Sequence, residues 1–280
     1  MKEKKNGKKW GFLILLMAVI PITLAILSAL AMSASSAVRQ AELDEALAKS
    51  RLERSVLLLA DEQRNLIQVQ MEADRQRQEN ERRQLEEDFL LREKERLMML
   101  VNPWNPVPED YEPQLVLLGD GIYMDERAAG PLTKMLEACL ASGRMSVPIS
   151  GYRTQEYQQE LFDNKVERLL RDGWSPERVE EEAAKSVAVP GTSEHQLGLA
   201  MDILDVDNPN LDVTQEWTEA QRWLMKHCTE YGFILRYPNG TTDITGIIYE
   251  PWHYRYVGKA NAAAIAASGL VFEEYLQKED

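Results

Sequence analysis

Three separated segments carry the side chains best suited to chemistry. The first is Ser193-Glu194-His195-Gln196-Leu197-Gly198-Leu199-Ala200-Met201-Asp202, the second Glu250-Pro251-Trp252-His253, and the third Ser150-Gly151-Tyr152-Arg153. A hydrolytic zinc site takes three protein ligands from histidine and carboxylate and keeps one position open. His195, Asp202 and His253 supply such a set. Glu250 stands three residues before His253. A carboxylate close to a metal but not bound to it can take a proton from a water whose pKa the metal lowers toward ~7. His195 and Asp202 are seven positions apart and cross a loop-to-strand junction, so this is not the helical H-E-x-x-H arrangement. Gly198 and Ala200 lack bulk, which lets the backbone between the first two ligands pack tightly. Taken singly, each residue has a plainer reading. An aspartate near a strand end commonly serves a turn, an arginine after Gly-Tyr is commonly a surface residue, and a glutamate before proline can simply be exposed. His227, on an amphipathic helix beside Cys228, reads as a surface or satisfied core histidine.

The elements that must position these residues lie in the C-terminal part of the chain. Residues 102–280 are long enough for a complete core and read as one domain. Helices are expected over 127–142, 155–171, from Ser175-Pro176 to about Lys185, over 217–231 and over 258–268. Short strands are expected over 147–150, 199–204, 233–237 and 246–254, the last two joined through Asn239-Gly240. Helices interrupted by short antiparallel-looking strands indicate an α+β fold. The net charge of −14 is concentrated here, residues 101–280 carrying −15. Such an acidic domain argues against nucleic-acid binding, which needs clustered cations. Two cysteines, Cys139 and Cys228, exclude a disulfide-dense scaffold or a cysteine-based zinc finger. In an oxidising exterior the two could pair; both also fall on apolar helix faces, where two buried free thiols are the equal alternative.

The N-terminal part is a different material. Residues 1–9 form a basic tail with Lys2, Lys4, Lys5, Lys8 and Lys9, and Trp10 to Met32 then runs without a charge. That length spans a ~30 Å hydrocarbon core. The lysines predict a cytoplasmic N-terminus and a single membrane pass. The apolar run exceeds a signal-peptide core, which favours an uncleaved anchor over a cleaved signal. Residues 33–101 read as a helical stalk. From Ser36 to Leu100 there is no Gly or Pro, and Glu79/Arg83 and Asp88/Arg92 form i, i+4 pairs. Fully helical, the stalk would reach roughly 100 Å. Its apolar residues give partial stripes rather than a clean heptad, so a solvated stalk stands beside a coiled coil that would pair two copies as a homodimer or dock a partner. Pro103, Pro106 and Pro108 close the segment.

The pattern S-x-H-x-x-G-x-A-x-D, then E-P-W-H, preceded by S-G-Y-R, resembles the VanY-type zinc D-alanyl-D-alanine carboxypeptidases. These are related to the L,D-carboxypeptidases and VanX-type D,D-dipeptidases. The resemblance spans roughly residues 110–260 and includes Tyr157-Gln158, Tyr231-Gly232-Phe233, Arg236-Tyr237-Pro238, Thr245-Gly246 and Glu250 through Gly258. It implies a small central antiparallel sheet flanked by helices. It also implies Zn²⁺ on His195, Asp202 and His253, with Glu250 as general base and then acid. Arg153 would hold a carboxylate or the developing oxyanion, while Ser193 and Gln158 would contact the peptide. Trp252 and Tyr254 would wall the pocket or, equally, be core aromatics beside it. The implied activity is removal of the terminal D-Ala from peptidoglycan stem peptides outside the cell membrane. L,D-carboxypeptidase or endopeptidase action, or a wall-peptide binding module without strong turnover, is the alternative.

Overall fold

The computed structural model describes residues 6–279, with side chains for Met17 and from residue 19 to 278; Lys2, Lys4 and Lys5 of the basic tail lie outside the described residues. One helix, α1 (Asn6–Leu97), runs for 92 residues and accommodates Pro21. Glu, Gln, Arg and Leu dominate its second half, and all are strong helix formers. Its apolar residues Ile22, Leu24, Leu27 and Leu30 are exposed. Among the described residues it is the one helix long and apolar enough to cross a membrane. The chain divides into two compact units, residues 1–86 and 87–280, so the last turns of α1 belong with the C-terminal unit.

That unit begins with a hairpin of β1 (Leu115–Gly119) and β2 (Ile122–Asp125), which the sequence pattern does not announce. Asp125 then caps α2 (Glu126–Ala141) by accepting a hydrogen bond from Arg127 N. Ala128, Leu132, Met135 and Cys139 form the buried stripe of α2. After β3 (Ser146–Ser150), Thr154 caps α3 (Gln155–Arg171). The helix expected from Ser175 begins later. Arg178 N bonds to Ser175 O to close a single turn, and the regular helix, α4 (Val179–Ala184), starts at the first residue that is buried.

Next comes β4 (Ala200–Asp205), buried along its whole length, then α5 (Glu219–His227), which tightens into a 3₁₀ turn at Cys228–Tyr231 and stops at Gly232. β5 (Phe233–Leu235) and the short α6 (Thr242–Thr245) follow. The final strand is displaced from the expected range. Gly246 terminates α6 with φ +78°, the backbone N–H groups of Ile248 and Glu250 bond to Lys185 O and Tyr237 O rather than to a strand, and Pro251 has no N–H to give. Pairing starts only at β6 (His253–Tyr256). Two helices, α7 (Lys259–Ser268) and α8 (Phe272–Glu279), end the chain.

Four strands make one antiparallel sheet in the order β3-β4-β6-β5. With helices around it this is the expected α+β fold. Met201 of β4 and Tyr254 of β6 pair across the sheet and enter the core with Met135, Leu197, Leu199, Ile203, Leu224 and Phe233. A smaller core of Ile234, Val257, Ala262, Ile265 and Phe272 seats the last two helices. Cys139 and Cys228 are both buried free thiols, which resolves the pairing alternative.

Candidate metal centre

The sheet register assembles the site. Asp202 on β4 lies directly opposite His253 on β6, and Ser150 at the end of β3 pairs with Asp202 on the other side. Strand side chains alternate between faces, so Asp202 and His253 leave the sheet on the face opposite Met201 and Tyr254. His195 arrives from a 3₁₀ turn, Glu194–Leu197, that ends on Gly198 at φ +71°. A side chain at Gly198 would be strained and would approach Asp125 N at 3.1 Å. One ligand atom from each of His195, Asp202 and His253 falls within 4.8 Å of the others, and all three residues are buried.

The donor set fits a zinc ion. His195 Nε2 lies 3.3 Å from Asp202 Oδ2, and His253 Nδ1 lies 3.1 Å from Asp202 Oδ1. Asp202 Oδ1 is buried yet makes no hydrogen bond of proper geometry. Two imidazole nitrogens and a carboxylate oxygen turned toward one point match the three-ligand pattern of hydrolytic zinc sites. His195 Nδ1 is held at 2.7 Å by Gly151 O, which leaves Nε2 for the metal. Only glycine allows that approach, because a Cβ at Gly151 would collide with Tyr123 O.

Glu250 completes the cluster, with Oε2 3.6 Å from His253 Nδ1. Burial, reinforced by the nearby Asp202 charge, pushes its carboxyl up to about 8. Burial would also raise Asp202, but His195, His253 and Arg153 together hold it well below the usual carboxylate range. Burial, then the Arg153 charge, lowers His195 to about 4. For His253 burial is outweighed by the carboxylates of Asp202 and Glu194, and its pKa rises to about 9.

Arg153 is braced three ways. It donates to Asp202 Oδ2 at 2.7 Å, to Ser150 Oγ at 2.9 Å and to Gln158 Oε1 at 3.4 Å. It lines a cavity of about 520 Å³ together with the metal set, Ser193, Glu250 and Trp252. Gln158 and Tyr254 do not reach that cavity. Gln158 is fully buried behind Arg153 and donates to Ala188 O at 2.7 Å. Tyr254 is fully buried on the core face and donates to Gln221 Oε1 at 2.8 Å. His227, stacked on Trp223 and 2.7 Å from Glu230, lies apart from the site.

Sequence reasoning passed over Glu194, Lys165 and the arginine pair behind the histidines. Glu194 is fully buried; Arg236 Nε and Arg255 Nη1 each donate to its Oε1 at 2.8 Å. Burial opposes its ionisation, but these two guanidinium groups hold it ionised. Lys165 lines the cavity from α3, and partial burial lowers its pKa. The residue types alone gave one signal, two arginines in apolar strand surroundings.

Comparison with known proteins agrees with this geometry. The family model for VanY, D-alanyl-D-alanine carboxypeptidase, matches residues 121–259. A D-alanyl-D-alanine carboxypeptidase of Enterococcus faecalis is 44% identical over 188 residues, 67% of this chain and 68% of that protein. Among solved structures, the VanY D,D-pentapeptidase of a VanB-type resistance cassette, a glutamate-to-alanine variant in complex with Zn(II), is 43% identical with TM-score 0.60. That alignment covers 65% of this chain and 99% of the other. The LdcB LD-carboxypeptidase is 38% identical with TM-score 0.58, covering 66% and 87%. With a buried His-Asp-His set on the matching fold, the chain is a homologue of zinc D,D-carboxypeptidases and belongs to the VanY D-alanyl-D-alanine carboxypeptidase family.

Proposed function

We infer that this protein removes the C-terminal D-Ala from peptidoglycan stem peptides by hydrolysis. The observation that carries the reading is Glu250, buried and 3.6 Å from His253 Nδ1 at the edge of a His195-Asp202-His253 set that opens on one cavity. Zinc held by those three residues supplies Lewis-acid polarisation of the scissile carbonyl and lowers the pKa of the attacking water. Glu250 takes that water's proton as the C–O bond forms. It returns the proton to the leaving amine as the C–N bond breaks, the two halves of one acid–base cycle. Arg153, fixed by Ser150, Gln158 and Asp202, presents its guanidinium to the substrate carboxylate or the developing oxyanion. Ser193 and Trp252 form part of the peptide-contacting wall.

The apolar N-terminal segment, 10–32, anchors the chain in the cell membrane with residues 1–9 in the cytoplasm. The stalk read over 33–101 gives up its last turns to the C-terminal unit, 87–280, which carries the catalytic domain and faces the wall outside. The exposed apolar side chains of α1 support the anchor. The likeness to LdcB favours a second reading, L,D-carboxypeptidase action on tetrapeptides. One experiment separates the two. Full-length chain in detergent is incubated with tetra- and pentapeptide muropeptides, with and without a chelator, and products are identified by mass. Chelator-sensitive loss of D-Ala from pentapeptide supports the first reading, and loss from tetrapeptide alone supports the second. No release from either refutes both.

A further inference from the structure

Each ligand histidine has a second ring nitrogen, and what that nitrogen meets decides which tautomer the ring adopts. For His195 the partner is the Gly151 carbonyl. For His253 it is different. Its Nδ1 faces Asp202 and Glu250, and its Nε2 points the other way, 3.5 Å from Glu194 Oε2. Both atoms are buried, and neither has another hydrogen-bond partner. The two orphaned atoms complement each other, a donor-capable nitrogen against a carboxylate oxygen.

The surroundings explain why that oxygen is free. Glu194 Oε1 takes both arginine donors, from Arg236 Nε and Arg255 Nη1. Arg236 Nη2 and Nη1 donate to Glu273, at 2.6 and 2.8 Å. Arg255 Nη2 donates to the carbonyls of Leu97 and Met99, at 3.0 and 2.9 Å. The two glutamates and two arginines balance in charge, and each arginine side chain is fully buried. A buried ionic cluster costs desolvation and is weak evidence of stability by itself. This one leaves a single oxygen undivided, and that oxygen faces a metal ligand.

We propose that Glu194 is a positioning residue of the metal centre: its Oε2 accepts the Nε2–H of His253, fixing the ring with the Nδ1 lone pair on the metal side. This rests on the metal-site reading above. The adjacent residues Glu194 and His195 then serve one ion from opposite sides, His195 as ligand and Glu194 through the facing histidine. Arg236 and Arg255 hold Glu194 in place.

The test uses full-length chain in detergent, stripped of metal, with zinc affinity read by competition against a chromogenic chelator. Glu194→Gln is compared with Glu273→Gln, which perturbs the same cluster without touching His253. Removing an anchor of a ligating histidine weakens metal affinity by about 10- to 100-fold. Glu194→Gln should show that loss, and Glu273→Gln should stay within about threefold of wild type even where its Tm falls. Equal losses in both variants, or no loss in Glu194→Gln, overturn the inference. A second measurement needs no variant. The chain has three histidines, so ¹⁵N-histidine NMR of the zinc-loaded wild type resolves each ring. His253 should carry its proton on Nε2, and the opposite tautomer overturns the inference. A wild-type chain that takes up no zinc overturns the metal-site reading itself; a zinc-binding chain indifferent to Glu194 overturns this inference alone.

Discussion

Loading zinc onto the metal-stripped chain should expel protons, and the structure sets how many. With only the protein's own charges acting, His253 titrates at about 9, so at pH 7.5 it is almost fully protonated. A histidine must be neutral to ligate, so His253 gives up ~1 proton on binding. Glu250, at about 8, is mostly protonated at the same pH. A dication held by the adjacent ligands would favour its carboxylate, so most of that proton leaves as well. His195, at about 4, and Asp202, held well below the carboxylate range, are already deprotonated and contribute nothing. The sum lies between ~1 and ~2 protons per zinc, and apparent affinity should fall as pH drops below 7.5, because protons compete for His253 and Glu250. Calorimetric titration in buffers of different ionisation enthalpy measures the number directly. Glu250→Gln should remove its share and leave the His253 proton. Proton release near zero in the wild type would refute the charge distribution derived for the site.

Glu250→Gln should also retain zinc while kcat falls by about 10²- to 10⁴-fold with KM little changed, since the carboxylate acts in the transition state; steady-state kinetics on a pentapeptide decides this. Gly151→Ala should lose zinc affinity and more than ~2 kcal/mol of stability, because a Cβ there meets Tyr123 O and displaces the carbonyl that anchors His195; chelator competition and a melting curve show both. Cys139 and Cys228 should resist thiol reagents at pH 8 in the native chain and react fully in denaturant, since burial raises both and pushes Cys228 up to about 12.

Much of the centre was legible because ligand chemistry is carried by residue type. His195, Asp202, His253 and Glu250 could be named before any strand was placed. What brings them together, the pairing of Asp202 with His253 across β4 and β6, depends on register, which the short strands do not advertise. The final strand was read too early because Ile247, Ile248 and Tyr249 look strand-like. Pro251 and the hydrogen bonds to Lys185 and Tyr237 instead keep that stretch outside the ladder. Gln158 was read as a peptide contact, and Tyr254 as either a pocket wall or a core aromatic, because a motif names positions without saying which side of an element they occupy; both prove to be buried away from the cavity. Glu194 was hidden for the converse reason. A glutamate in a loop looks solvated until Arg236 and Arg255, contributed by distant segments, close over it.

The hold of Arg255 on Leu97 and Met99 bears on where this chain can be shortened. The prolines from Pro103 onward look like the natural place to cut, and a fragment starting there would keep every residue of the active centre. It would also take both carbonyls away from a fully buried guanidinium, and a buried donor without a partner costs ~1–3 kcal/mol. Leu97 would leave the apolar core with them. A soluble version that keeps its native stability therefore starts near Glu87, where the compact unit begins, and carries the last turns of the long helix as part of its catalytic body.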